Sequence, residues 1–455
     1  MLVRKQTFYA IFLGILCTIV FIIGSLMNNQ GISYFFEYCL IFATTLVVIS
    51  CLKKCIKMNE ILSPILVANV FSAFVFIARP IQILLHRSDI NRIYVIGMYN
   101  RLGGNLSFED LPILQASYIG FLGILFMNMF YYGIKVPLNK AQLSSFGESE
   151  NYNNEKALNS KQFLAILVIM FPVLLSMSSF VIKQVVYKMA IRMIDIVWLY
   201  ILCALIIYLI AFKKKPTVFI YILIAVSALL LGIASKRMYI VNLIICFIVP
   251  LYYLGKNRKK NIKRVIMMIF LLFALVIIYG SIRAGRIGAT QGTVVEQLLD
   301  EFCMYDMLLV SIRHCSENGI GLFWGYNFLT VLTTIIPSIK ISQFDHELTK
   351  IVFNGLFNGG IPVTIFGSLY LNFSYIGVIL GSALLGFLFR YFRNKCTKVI
   401  RIKGVMYYTI FTTFAYDVIR VGDIGREIWT CIIMILVAKI FMFIVPCDDV
   451  GAKYE

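Results

Sequence analysis

The sequence predicts an all-α protein, built as a polytopic bundle of membrane-spanning helices. Of its 455 residues, 60% are hydrophobic and only 14% are charged, whereas an ordinary globular domain is about 45–50% apolar and about 25% charged. The apolar residues stand in long blocks, such as 8–26 and 265–282. Blocks of about 20 residues match the hydrocarbon thickness of a bilayer. We therefore predict a single membrane domain over residues 1–455.

Twelve spans are predicted, at residues 8–27, 33–52, 61–85, 113–134, 162–182, 194–212, 217–234, 238–254, 265–282, 363–389, 405–419 and 428–446. The first follows a basic N-terminus, as the apolar region of a signal peptide does. That region is usually about 7–15 residues long, and the run here has 19. We therefore interpret it as a span.

The lysines and arginines orient the spans. With both termini in the cytoplasm, the cytoplasmic segments hold 25 Lys and Arg and 7 acidic residues, and the outer segments hold 16 and 15. This asymmetry follows the positive-inside rule, so the net charge of +20 is no reason to expect a nucleic-acid partner. A thirteenth span at 321–339 would move the six basic residues of 390–403 outside. We therefore predict that this stretch is re-entrant or interfacial.

Two outer loops are predicted, a short one at 86–112 and a long one at 283–362 between spans 9 and 10. In the long loop, apolar residues recur at helical spacing, with acidic residues between them, at Val295, Leu298, Leu299, Phe302, Leu308, Leu309 and Ile312. This pattern predicts an amphipathic helix of about 20 residues that lies against the membrane surface or the bundle.

Arginine is concentrated on the predicted outer side. The outer segments have 11 Arg and 5 Lys, and the cytoplasmic segments have 6 Arg and 19 Lys. Because the planar guanidinium can bind a phosphate through two hydrogen bonds, we predict that the outer face binds an anionic ligand. The candidate residues are Arg237, Arg283, Arg286, Arg313, Arg420 and Arg426. The alternative is that each arginine pairs with an outer acid or reaches lipid headgroups.

The long loop also holds a candidate proton acceptor. Asp345, His346 and Glu347 are adjacent, and we predict His346 as a general base that Asp345 or Glu347 orients. The alternative is a solvated polar turn. No two of the three histidines have the spacing of zinc ligands on a helix, so we predict no metal.

Residues 367–390 carry a resemblance to a known family. Tyr370, Asn372 and Phe373, followed by glycines at 377, 381 and 386, resemble the late-span signature of bacterial oligosaccharide repeat-unit polymerases, the Wzy-type O-antigen polymerases. That signature is a Tyr, then Asn-Phe-Gly, then spaced glycines, and Ser374 stands where the family often has Gly. Residues 234–237 resemble the family's Gly-Ser-Arg turn. Helix packing is the alternative explanation of the glycines.

The resemblance implies a GT-C-like membrane glycosyltransferase in the bacterial plasma membrane. A sugar hydroxyl of one polyprenyl-pyrophosphate-linked oligosaccharide would attack the anomeric carbon of a growing chain, and polyprenyl pyrophosphate would leave. The product would be an O-antigen, capsule or exopolysaccharide. The implied partners are the lipid-linked oligosaccharides, membrane lipid, a chain-length regulator and a flippase. No cofactor is implied, and the sequence has no nucleotide-binding motif.

Two other functions fit the sequence. An O-antigen ligase would share this architecture and transfer the glycan to a different acceptor. A flippase for lipid-linked oligosaccharides would carry out no chemistry. It would need cationic residues within a central cavity and has less need of an 80-residue outer loop. Proton-coupled transporters usually have a carboxylate near the middle of a span, and the predicted spans have none there, which argues against a pump or exporter.

Overall fold

The computed structural model describes residues 2–27, 30–58, 60–133, 160–182, 197–213, 218–233, 237–254, 263, 267, 296, 299–326, 328–329, 342–357, 359–398 and 401–444. Over these ranges the chain forms helices and turns and no strand. This confirms the all-α prediction.

Fifteen α-helices lie within the described residues. They are α1 (Leu2–Leu26), α2 (Gln30–Lys57), α3 (Pro64–Ala73), α4 (Arg79–Leu85), α5 (Tyr94–Arg101), α6 (Ile113–Gly133), α7 (Ser160–Val181), α8 (Val197–Lys213), α9 (Val218–Ile233), α10 (Arg237–Leu254), α11 (Met304–Glu317), α12 (Phe344–Val352), α13 (Thr364–Lys398), α14 (Arg401–Val421) and α15 (Ile424–Ile444). Eleven predicted spans coincide with these helices. The ninth, 265–282, lies almost entirely outside the described residues.

Five helical segments of the described chain are long and apolar enough to cross a membrane: Phe8–Leu26, Tyr34–Lys57, Pro64–Leu85, Ile113–Gly133 and Thr364–Cys396. Three shorter apolar helices are Trp198–Ile210, Val218–Leu231 and Tyr239–Tyr253. These segments identify a helical membrane protein. The count of twelve spans and the cytoplasmic termini stay predictions.

The chain forms two compact units. The first comprises residues 1–136, 284–391 and 414–428, and the second comprises 137–283, 392–413 and 429–455. In the first unit, α1, α2 and α6 pack against one another, and α11 packs against α5, α6 and α12. In the second unit, α8 packs against both α7 and α10. Every predicted site residue of the long loop that the structure describes lies in the first unit.

The predicted amphipathic helix of the long loop is interrupted by a 3-10 turn, and its described part packs against the bundle. A 3-10 turn at Asp300–Phe302 precedes α11, which has 14 residues. Both faces of α11 are covered, because Tyr305, Asp306, Leu308 and Leu309 are all fully buried. The acidic face therefore needs partners inside the protein.

Helix α13 is bent back on itself, so the tenth predicted span, 363–389, is not one straight helix. Its backbone is non-helical at Phe373 and Ser374. A Cβ atom built on Gly381 would lie 2.6 Å from the side chain of Leu369. Twelve residues of straight helix would separate the two by about 18 Å. Residues 364–372 and 375–398 therefore form a helical hairpin, and Gly377 and Gly381 allow its two arms to approach closely.

The cysteines carry a test of the predicted orientation, which places Cys55 and Cys396 inside and Cys303 and Cys315 outside. Cys55, Cys315 and Cys396 are buried, and Cys303 is partly exposed. An impermeant thiol reagent therefore cannot report on the buried three. Cys303 and Cys315 are both free thiols, in agreement with the expectation that about 18 Å of helix keeps them apart.

We expect Asp89→Cys to react with an impermeant maleimide in intact cells, and Lys395→Cys to react only after permeabilisation, each in a background in which Cys39, Cys303 and Cys447 are replaced by Ser. Both positions are exposed. They stand in the short outer loop and in the basic segment predicted to be cytoplasmic, respectively. Labelling of Lys395→Cys in intact cells would contradict the twelve-span topology.

Candidate functional site

A buried ion-pair network connects the third predicted span to the long loop. Pro80 cannot donate a backbone hydrogen bond, and the turn before it, Phe74–Ala78, is a π-helix. Arg79 follows this π-helix and is fully buried. Its Nε and Nη2 atoms donate to the two carboxylate oxygens of Asp306 at 2.8 and 2.5 Å, and its Nη1 donates to Asp300 at 2.8 Å. Burial raises the pKa of Asp300, and the Arg79 guanidinium opposes that rise.

A second contact lies about two turns beyond Arg79. His86 Nε2 lies 2.6 Å from Glu296 Oε1, and Nδ1 lies 2.9 Å from the carbonyl oxygen of Gln82. Gln82 also accepts a hydrogen bond from Arg79 at 2.5 Å. Together these contacts attach the start of the described long loop to α4.

Arg313, a predicted phosphate-binding residue, stands between two acids. Its Nη2 lies 3.1 Å from Asp110, and its Nε lies 2.7 Å from Glu317. The neighbouring His314 is buried beside Tyr99, whose hydroxyl lies 3.3 Å from His314 Nδ1, and this burial lowers the pKa of His314. For Arg79 and Arg313, the structure therefore supplies the acid pairing that was the alternative to ligand binding.

The turn between α14 and α15 lies in the first unit. Gly422 has a φ of +72°, and a Cβ atom there would lie 2.4 Å from the carbonyl oxygen of Thr364. Only glycine fits this contact. The turn is therefore packed against the start of the helical hairpin. It carries Arg420 and the buried carboxylates of Asp417, Asp423 and Glu427.

The structure describes only some of the predicted phosphate-binding arginines. Arg420 lies in the last turn of α14. Arg237 begins α10 and Arg426 lies in the first turn of α15, but the side chains of both lie outside what the structure describes. Arg283 and Arg286 lie outside the described residues altogether. A shared phosphate site for this set stays a prediction.

The predicted proton acceptors occupy the first turn of α12. Asp345 is buried, and its Oδ1 accepts the backbone N–H of His346 at 2.9 Å. Glu347 accepts a hydrogen bond from the hydroxyl of Ser342. His346 is exposed. Successive residues on a helix do not face each other, and among the described atoms no hydrogen bond joins either carboxylate to the imidazole.

Gly360 links two of these side chains, and the sequence patterns did not single it out. A Cβ atom at this position would lie 2.8 Å both from Oδ2 of Asp345 and from Cδ2 of His346. The carboxylate and the imidazole therefore converge on the backbone of Gly360. A base at His346 stays a prediction, with Asp345 beside it.

The bend of α13 coincides with the residues that carry the family resemblance. Ser374 has φ 59° and ψ −159°, a conformation almost confined to glycine. The segment before it is held by a turn of the long loop, since Phe323 N–H donates to the Leu371 carbonyl and Gly325 N–H donates to Asn372 Oδ1, both at 3.0 Å. Trp324, between the two donors, is 76% exposed, as suits a membrane interface.

We expect Ser374→Gly to stabilise the protein by about 1 kcal/mol, because glycine adopts this backbone without a steric penalty. Thermal unfolding of the purified protein would measure the change. A matched control is Ser178→Gly on the exposed face of α7, where glycine is expected to destabilise by about 0.5–1 kcal/mol. If the two variants shift Tm in the same direction, Ser374 is not strained.

No metal centre is evident in the described part of the chain, where no group of three His, Cys, Asp or Glu side chains is placed to hold an ion. The predicted absence of metal is not tested by this observation, since parts of the long loop lie outside it.

The fold and these sites define an all-helical membrane protein with a helical hairpin and a long loop packed into one unit. Comparison of the chain with known protein families, curated proteins and solved structures finds no match to any of them.

Proposed function

We propose that the protein is a glycosyltransferase of the bacterial plasma membrane that joins polyprenyl-pyrophosphate-linked oligosaccharides into a surface polysaccharide. The observation that carries the proposal is the position of the bend in α13. The stretch that resembles the polymerase signature contains the hairpin's turn, and Ser374, which stands where the family often has Gly, has a glycine-like conformation.

The packing of the long loop supports the same function. A glycosyl transfer to a lipid-linked chain needs a protein surface that positions two large substrates at the membrane boundary. Here α11 packs against α5, α6 and α12, and the turn at 323–325 is hydrogen-bonded to the hairpin. The described part of the loop therefore has fixed positions for side chains, as a catalytic element requires.

The proposed chemistry forms one bond and breaks one bond. A sugar hydroxyl of one lipid-linked unit attacks the anomeric carbon of the other, its proton passes to a base, and the bond from the anomeric carbon to the pyrophosphate oxygen breaks. The leaving pyrophosphate is stabilised by arginine forks, for which Arg237, Arg283, Arg286, Arg420 and Arg426 are the candidates. Arg313 is the weakest candidate because it already contacts two acids.

The test is reconstitution of the purified protein with one lipid-linked repeat unit. We expect a ladder of longer glycans, with one polyprenyl pyrophosphate released for each bond formed. Movement of the lipid across the bilayer without chain growth would identify a flippase. Transfer that requires an acceptor other than the repeat unit would identify a ligase. Either result would overturn the polymerase proposal.

We expect Arg283→Lys and Arg286→Lys to reduce polymer synthesis nearly as much as the alanine variants, at normal protein levels. Lysine keeps the charge but cannot form the two parallel hydrogen bonds of a guanidinium. The loss of one such contact typically costs about 10²–10³-fold in rate. The matched control is Arg92→Lys, because Arg92 is exposed and pairs with Asp89. Full polymer length in the lysine variants would contradict pyrophosphate binding by these arginines and would indicate that they only anchor the chain at the membrane interface.

A further inference from the structure

A cavity of about 410 Å³ lies where α1 ends and where α2 and α6 begin, within the first unit. On the predicted orientation this end of the helices faces outside. The volume falls within the range of about 300–1,000 Å³ that is typical of small-molecule sites. Its wall includes Phe21, Tyr34, Glu37, Phe108, Glu109 and Gln115.

Glu37 is the residue in this wall that points to a ligand. It is only 4% exposed, and its Oε2 atom has no hydrogen-bond partner among the described residues. A buried polar atom without a partner is costly. The side chain lines the cavity, and a turn of its carboxyl group would bring Oε2 to a donor group on a bound molecule.

The acidic residues of the wall disfavour an anionic ligand and favour a ligand that donates hydrogen bonds. Among the described lining residues there are two carboxylates, Glu37 and Glu109, and no lysine or arginine. A guanidinium near this wall, that of Arg87, lies over the ring of Tyr34 at 5.8 Å. A carboxyl group accepts hydrogen bonds whether it is ionised or protonated, and neither form attracts phosphate. The cavity is therefore suited to a neutral molecule that carries hydroxyl groups.

The aromatic residues of the wall restrict the class of ligand further. Phe21, Tyr34 and Phe108 contribute rings to the wall, and the rings of Tyr34 and Phe108 lie 5.7 Å apart. A sugar presents hydroxyls at its edge and an apolar C–H surface on its face. Flat apolar rings beside hydrogen-bond acceptors match both of these surfaces.

We propose that this cavity binds the glycan of an oligosaccharide, with Glu37 accepting a hydrogen bond from a sugar hydroxyl. That the glycan belongs to a lipid-linked repeat unit rests on the proposed function. The preference for a neutral, hydroxylated ligand rests on the lining residues alone.

The test measures the binding of free oligosaccharides, obtained by partial hydrolysis of the host bacterium's own surface polysaccharide. The protein is held in lipid nanodiscs, because maltoside detergents carry sugars of their own. We expect saturable calorimetric binding to the wild type and about 10- to 100-fold weaker binding to Glu37→Gln, which keeps the shape of the side chain but replaces one acceptor oxygen with an amide donor. Asp89→Asn, at an exposed acid outside the cavity, should bind as the wild type does.

Thermal unfolding would show whether Glu37→Gln is folded. A second variant tests the cavity independently in case it is not. Phe108→Ala removes a ring that lies outside the long helices, and we expect it to weaken glycan binding about tenfold. Sodium pyrophosphate and Mg²⁺ should not displace the glycan.

Three outcomes would overturn the inference: no saturable binding to the wild type, unchanged affinity in Glu37→Gln, or displacement by pyrophosphate or the cation. These outcomes are distinguishable from failure of the proposed function. Glycan binding that depends on Glu37, without polymer formation in proteoliposomes, would remove the polymerase and leave the cavity assignment. Polymer formation together with glycan binding that does not depend on Glu37 would support the polymerase and remove the cavity assignment.

Discussion

Asp306→Ala is expected to destabilise the protein by about 3–5 kcal/mol, because it leaves the fully buried Arg79 without its principal counter-ion. The remaining acid, Asp300, makes a single contact and is 34% exposed. Tm of the purified protein and its abundance in the membrane would measure the loss. The effect should exceed that of most single substitutions, which cost about 0.5–3 kcal/mol.

Two further variants, a control at an exposed ion pair and a double replacement of the buried pair, distinguish the effect of burial from that of an ordinary ionic contact. Asp89→Ala removes the partner of Arg92, and both of those side chains are largely exposed, so we expect a change of at most about 1 kcal/mol. Replacement of the closest pair, Arg79→Met with Asp306→Leu, should recover much of the stability because no fully buried charge is left, and Asp300 is partly exposed. If Asp306→Ala is as mild as Asp89→Ala, the network does not hold the loop in place.

His346→Ala is expected to reduce turnover on purified lipid-linked substrate about 10²–10⁴-fold, the usual cost of losing a general base. His346 is exposed on α12, so the substitution should leave Tm nearly unchanged. Gly360→Ala should produce part of the same loss, because a methyl group there would displace the imidazole and the Asp345 carboxylate.

Lys350→Ala is the matched control, since it removes an exposed side chain one turn along the same face of α12. Its turnover should stay within a few-fold of the wild type. If His346→Ala is equally mild, His346 is not the base. If Asp345→Asn and Glu347→Gln are mild as well, the whole cluster is excluded and catalysis rests on the arginines and on substrate positioning.

The helices were predictable because each depends on a local property of the sequence. A run of about 20 apolar residues is unfavourable in water, so it is either buried in protein or placed in lipid. In lipid its backbone hydrogen bonds must be made within the segment, which favours a helix. The twelve predicted segments therefore overlap helices wherever the structure describes them. The bend in α13 had only a weak signal, the similarity of Asn372-Phe373-Ser374 to a motif that ends in glycine.

The candidate site was less predictable, because its contacts join residues that are far apart in the chain. Arg79 and Asp306 are separated by 227 positions, and no local pattern relates them. The arginine count suggested a ligand for the outer face, but for Arg79 and Arg313 the tertiary structure supplies acidic side chains instead. Glu37 looked like an ordinary polar residue near a span end.

By itself, the sequence determined that this is a membrane protein made of helices, since hydrophobicity and helix formation act over a few turns of chain. Only the tertiary structure decided which charges neutralise one another, where a helix reverses direction and which carboxylate faces an open cavity. Those outcomes depend on burial, and burial is set by the elements that pack around a residue.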